Sequence, residues 1–415
     1  MKKLSLLFIG TLIGSTFLLT SCGDDDESTP PTPPDSGNTV VTENISGEIT
    51  WTSDKVYELG GRITVLDGAT LTIEAGTIIK GQAGTQANAT ALLVARGGKL
   101  NANGTASAPI IFTSVADEIT PDDVAAGNFE SPNLDPDING LWGGVIILGK
   151  AAISASAAEV QIEGIPTSDT NGLYGGSDDS DNSGTIRYIS IRHGGTNIGA
   201  GNEINGLSLG GVGSGTTIEH VEIVANQDDG IEWFGGTVNV SNALVWNVGD
   251  DGMDTDQSWS GTCSNFMVVT AAGHNFELDG PEGSTLLDVQ HTFENGTVVH
   301  AILETDDGSI ETVRSAEDII NTDDNSGVVL RNIYITALLD GNETTIPVGN
   351  QVDESTFVNV DFEGVVLNVP TTDLVDFMES GAIPTGITAG TSGTKADASV
   401  FAWTWAGQSG NLAGL

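Results

Sequence analysis

From about residue 45 the chain is written in short runs of alternating apolar and polar residues, each closed by Gly or Asn and a polar turn. Ala69-Thr70-Leu71-Thr72-Ile73, Ile110-Ile111-Phe112-Thr113 and Ile186-Arg187-Tyr188-Ile189-Ser190-Ile191 are typical. A period of two places alternate side chains on opposite faces of a strand. The runs also repeat. Asp228-Asp229-Gly230-Ile231-Glu232 returns as Asp250-Asp251-Gly252-Met253-Asp254, 22 residues on, and more loosely at Phe276-Glu277, 23 residues further. Ile223, Val245 and Val268 keep the same step on a second strand. Two strands sharing one period indicate a solenoid. The Leu and Asn pattern of leucine-rich repeats is missing, and four-stranded propeller blades are about twice as long. The expected fold is all-β, a right-handed parallel β-helix, since parallel crossovers are right-handed.

Coils of a β-helix are stacked about 4.8 Å apart, so residues one period apart form columns. Ile223, Val245, Val268 and Ile231, Met253, Phe276 are the expected core columns. Residues 45–370 hold about a dozen coils at this period. The Asp- and Pro-rich stretch Ala116 to Asn139 interrupts them and is expected as a surface loop. The open end of a solenoid exposes strand edges and needs a cap. Residues 371–415 are expected to supply it. Thr372 to Met378 has helical spacing, and Trp403-Thr404-Trp405 alternates like a half-buried strand.

Composition narrows the function. Among 415 residues, 13 Lys and Arg face 57 Asp and Glu, a formal net charge of −44. A phosphate-binding surface needs clustered Lys and Arg, so no nucleic-acid partner is expected. Hydrophobic residues at 38 % exclude a disordered acidic chain. Lys2 and Lys3 precede an apolar run, Leu4 to Leu19, that ends in Leu19-Thr20-Ser21-Cys22. This resembles the lipobox of bacterial lipoproteins. The resemblance implies a signal peptide over 1–21 and acyl chains, palmitate-like, on Cys22 that anchor the protein in outer-membrane lipid. Gly23-Asp24-Asp25-Asp26-Glu27 is similar to the surface-export signal of lipoproteins in one Gram-negative phylum. The acidic and Pro/Ser/Thr-rich residues 22–44 then form a tether. The expected location is the outer membrane, with the body exposed on the cell surface. Cys263 is left as a buried small hydrophobe.

Strand alternation sends Glu232, Asp254 and Glu277 outward if Ile231, Met253 and Phe276 point in. Phe234, Asp256 and Asp279 point out two residues later, and Asp228, Asp229, Asp250 and Asp251 occupy the preceding turns. Carboxylates about 5 Å apart repel unless a cation or bound protons compensate. Three readings stay open. The face is a solvated surface with Asp-Gly turn chemistry. Alternatively, it holds calcium, a hard cation that takes several carboxylate oxygens; Asp228, Asp229, Glu232, Asp250, Asp251, Asp254, Asp256, Glu277 and Asp279 are the candidate ligands. Or it cleaves carbohydrate. Val224, Trp246 and Val269 form an apolar outward column that either packs under a loop or stacks on a sugar ring, and Phe234 and Trp246 are the candidate ligand-binding residues. No organic cofactor motif is present.

The body resembles a group of surface-exported β-helix lipoproteins of that phylum, a family with no established activity, on Gln227 to Gly236, Gly249 to Asp256 and the Trp403 region. Locally it also resembles polygalacturonase-type β-helix glycosidases. Asn226-Gln227-Asp228-Asp229, Asp250-Asp251 and Gly273-His274-Asn275 lie on successive coils, as that family's Asn-x-Asp, Asp-Asp and Gly-His-Gly do. The resemblance implies Asp228, Asp250 and Asp251 as acid/base groups with His274 as helper. The third Gly is Asn275 here, and the family's Arg-x-Lys is absent. The leading expectation is a binding or adhesion module for polysaccharide or another surface component, calcium-dependent in one reading. The alternative is a polysaccharide hydrolase or lyase.

Overall fold

A computed structural model describes residues 38–198, 203–280, 290–322, 327–349, 351–354, 357, 359–412 and 415. The signal peptide, Cys22 and the acidic run lie outside the described residues. The body is a right-handed parallel β-helix built from an 18-stranded and an 8-stranded sheet. Successive turns of the chain pair in parallel register. Ile223, Val245 and Val268 stack in the large sheet, and Ile231, Met253 and Phe276 in the small one. All six are buried in one continuous core, as the alternation requires. Cys263 is a free thiol within that core.

The Gly of each Asp-Asp-Gly repeat has a packing reason. A Cβ on Gly230 would meet Val245 Cγ1 at 2.5 Å, and one on Gly252 would meet Val268 Cγ1 at 2.6 Å. The turn backbone rests directly on the valine column across the core. The two periodic signals in the sequence are the two sides of one contact.

The large sheet covers two faces because it bends along a column that sequence reading missed. Tyr188, His220, Asn242, Asn265, Asn295 and Asn332 all adopt positive φ, between 48° and 59°. Strand pairing skips each of them. Asn tolerates this left-handed conformation better than most residues. The column bonds to itself: Asn265 Nδ2 donates to Asn242 Oδ1 at 2.7 Å, and Asn332 Nδ2 to Asn295 Oδ1 at 3.2 Å. Tyr188 stacks on His220 with ring centroids 4.1 Å apart.

Among the described residues, three segments leave the coil path and fold back onto it. Residues 116–139 are not a plain surface loop. They carry a helix, Pro121–Ala126, started by a capping box between Thr120 and Asp123. Ile119, Val124 and Phe129 pack on Val56, Ile78 and Ile111 of the first coils. A second insertion, 149–183, has no counterpart in the sequence reading. Its hairpin pairs Val160–Gln161 with Leu173–Tyr174, and Ile153, Ile162, Ile165 and Tyr174 cover the outer face of the small sheet.

The C-terminal segment divides. Leu374, Phe377 and Met378 enter the main core near its end. Strand Ile387–Ala389 continues the stack beyond residue 370, just as Asn38–Val41 starts it before residue 45. Trp403 to Trp405 is not a strand: Ala398–Phe401 is a 3-10 turn and Trp405–Gln408 a short helix. They lie along the flank of the large sheet, over Val224, Trp246, Val269, Leu244 and Met267.

Candidate functional site

The outer face of the small sheet carries the acidic residues in two columns. One runs Ser208, Glu232, Asp254, Glu277, Asn321. Asp353 and Glu379, next to the bridging residues Val352 and Met378, extend it. The other lies in the turns. Asp229, Asp251 and His274 follow one another through the bonds Gly230 N–H to Asp251 O and Gly252 N–H to His274 O, both 2.8 Å. Asp318 pairs with His274 below them.

The centre of the face is withdrawn from solvent, while Asp250 at its edge stays exposed. Glu232 is 5 % exposed and Asp254 8 %, and Asp229 and Asp251 are also buried. This corrects the reading of a solvated acidic surface. The 149–183 insertion and the segment around Glu203 bring further carboxylates, Glu163 and Glu203, to it. Burial, with Glu163, Glu203, Asp250 and Asp251 around it, pushes the Asp228 carboxyl up to about 8. Burial and then Asp251 push Glu277 up to about 9. Asp229, Glu232 and Asp254 are held well above the carboxylate range by burial and by one another. Burial, then Asp251, raises Asp250. Asp251 is the exception. Burial alone would raise it, but bonds from His274 and Glu277 hold it below the usual range. Its Oδ1 lies 2.9 Å from His274 Nδ1. His274 is correspondingly raised by Asp251 against its own burial.

Donor atoms within 4.8 Å of one another form three triplets: Asp229, Glu232 and Asp254; Asp228, Asp229 and Asp250; Asp251, His274 and Glu277. The first meets Asn205, which is 2 % exposed. Its Nδ2 donates to Glu232, and its Oδ1 has no partner. Three carboxylates and a buried amide oxygen are the donor chemistry of a hard cation such as Ca²⁺. The residues present therefore fit the ion. Asp256 stands beside the triplets, and Asp279 acts on Asp254 and Glu277 as a further charge.

A groove of about 870 Å³ runs between the insertion and this face, lined by Gln86, Gln161, Glu163, Tyr174, Phe234 and Asp256 among others. Phe234 lies where the alternation placed it, 5.9 Å from the Tyr174 ring. Trp246 does not face a ligand. It is 3 % exposed and packs edge-on against Trp405, 5.8 Å away, because the C-terminal segment covers its column. Asn205 sits one coil before Asp229 and could have been found from the repeat. Glu163 and Glu203 belong to no repeat and left no periodic signal.

The charge pattern predicts a stability optimum in mild acid. A carboxyl raised in the folded state stabilises it below the unfolded value near 4, and that stability is lost as pH rises through 8 to 9. Buried His291 and His300 act in the opposite sense. Their folded values, about 3 and about 4, mean stability is lost as pH falls below about 6.5. The raised carboxyls outnumber these two histidines, so in metal-free buffer the melting temperature should peak near about pH 4 and fall steadily on the alkaline side. Melts in EDTA from pH 3 to 10 check this; a flat alkaline limb would contradict it.

The model of one protein family, described as a pectate-lyase-like beta helix domain, matches residues 43–127 and 131–407. A search of curated proteins gave no match. At the level of that family the fold carries a polysaccharide-related role. Coil path, stacked columns and the extent of the match together make this chain a member of the pectate-lyase-like β-helix domain family.

Proposed function

We propose that this protein is a cell-surface lipoprotein whose rigid β-helix binds polysaccharide along the groove beside the acidic face, with a divalent cation, calcium by its donor set, held at Asp229, Glu232 and Asp254. One observation carries the reading: a groove of about 870 Å³ lies against buried carboxylates whose strongest neighbours are other carboxylates. A cation removes that repulsion and holds the wall in shape. Acyl chains on Cys22 would tie the protein to outer-membrane lipid, with the acidic run directing it to the surface. A surface protein is the other partner such a rod could hold.

Hydrolysis is the second reading, favoured by the Asp251–His274 contact at 2.9 Å. Asp251 would then serve as base and Asp228 or Asp250 as acid. It stands second because Asn275 replaces the third Gly of the glycosidase pattern and no Arg-x-Lys follows.

The test is calorimetry on EDTA-treated protein. A ligand held only by the folded state stabilises it by about 2.7 kcal/mol at one hundred times its Kd. Calcium should therefore raise Tm by several degrees, and magnesium at equal ionic strength should not. Glu232→Gln/Asp254→Asn should lose the increment and melt higher than wild type without metal. Polysaccharide binding should weaken in EDTA. Equal effects of calcium and magnesium, or no glycan binding in calcium, would remove this reading. Reducing ends that appear with wild type and vanish with Asp251→Asn would replace it with hydrolysis.

A further inference from the structure

We propose that the N-terminal end of the β-helix is a docking edge for a second copy of this chain, paired through the strand Glu48–Trp51. This strand belongs to the first coil. It pairs in parallel with Thr70–Ile73 and, among the described residues, with no other strand. Gly47 O accepts from Thr70 N–H at 2.8 Å, and Trp51 O from Glu74 N–H at 3.0 Å. Backbone groups alternate in direction along a strand. Those of Gly47, Ile49 and Trp51 therefore serve the stack, and those of Glu48 and Thr50 point away from it. Ile49 lies opposite Leu71, which is fully buried in the core, yet Ile49 is itself 40 % exposed. Outward ladder groups beside an uncovered core residue are a template for another strand.

The edge is complementary to itself. With a two-fold axis through Ile49, an antiparallel copy places Glu48 opposite Thr50 of the second copy, and Thr50 opposite its Glu48. Each such pair exchanges both N–H to O=C bonds. Ile49 meets Ile49 of the second copy at the position where side chains approach most closely, which extends the core across the junction. Glu48 faces a threonine, so no like charges stand opposite. Other occupants fit this edge less well. Pro30, Pro31, Pro33 and Pro34, just ahead of the first coil, have no N–H to donate to a ladder. Lipid cannot satisfy outward backbone groups. A net charge of −44 drives most faces of two copies apart. Residues 38–53 carry Glu43 and Glu48 as their only charges, so that repulsion is small at this end.

Sedimentation equilibrium of the full chain carrying Cys22→Ser tests the inference, in EDTA so that no cation bridges acidic faces. A reversible monomer–dimer equilibrium is expected, and it should tighten with added salt, which screens the repulsion between two acidic chains. Thr50→Pro removes an outward N–H at an edge position where proline is tolerated. It should weaken the dimer about tenfold or more, with Tm nearly unchanged. Ile49→Cys should give an intermolecular disulfide under mild oxidation, since opposed positions of this kind bring Cβ atoms within about 4.5–5.5 Å; Cys263 is buried and does not compete. A chain that stays monomeric at roughly 100 μM overturns the inference. So does a dimer that Thr50→Pro leaves intact or that Ile49→Cys does not cross-link, because it would use another face. A dimer that forms only after deletion of residues 23–37 would assign the edge to the chain's own tether and overturn it as well.

Discussion

Val245→Asp is expected to abolish cooperative folding. Val245 is fully buried between Ile223 and Val268, and its methyl groups fill the space left by Gly230 in the turn opposite. A carboxylate there has no partner in the core. Burying it unpaired costs several kcal/mol, a large share of the 5–15 kcal/mol typical of a whole domain. The β-sheet circular dichroism signal should be lost or the melt become broad and early. Val245→Ala, which only opens a cavity, should keep the fold at lower stability. A Val245→Asp protein melting like wild type would overturn the assignment of this column to the core.

Trp405→Ala should cost about 3–5 kcal/mol, the usual range for truncating a buried Trp. Its ring meets Trp246 and His193, at 5.8 and 5.6 Å, and the Arg192 guanidinium lies 5.0 Å from its centre. The next residue, Ala406, donates its N–H to Glu222 Oε1 at 3.1 Å. Glu222 and Arg192 are fully buried and lie 3.7 Å apart. Truncation would uncover both charges as well as an apolar column. Urea unfolding should show the loss as a lower midpoint. Release of the C-terminal segment should also appear as proteolysis near residue 400. A change below about 1 kcal/mol would mean that the segment is a loose appendage.

Where pattern reading succeeded, the information was local and repeated. Glu232, Asp254 and Glu277 stand in one column because each follows a core residue by one position, and pairing keeps that offset. His274 meets Asp251 for the same reason, one coil on. Where it failed, a segment outside the repeat had folded back. Trp246 stood between packing under a loop and stacking on a sugar, and residues 398–408 covering it decide for the first. Residues 116–139 looked like a loop because Asp and Pro dominate, although Ile119, Val124 and Phe129 anchor them.

The sequence by itself determined the path of the chain. Period two set which side chains enter the core, and the 22- and 23-residue steps set which of them stack, since a parallel ladder pairs each residue with its copy one coil away. What the acidic face is was decided only by tertiary structure. Exposed carboxylates in water would need no compensation, because the solvent screens them. Under the 149–183 insertion the same residues are desolvated, gain Glu163 as a neighbour, and require either protons or a cation. That insertion carries no repeat, so its landing place follows from the apolar contacts of Ile153, Ile162, Ile165 and Tyr174 with the sheet, which exist only once the coils have formed.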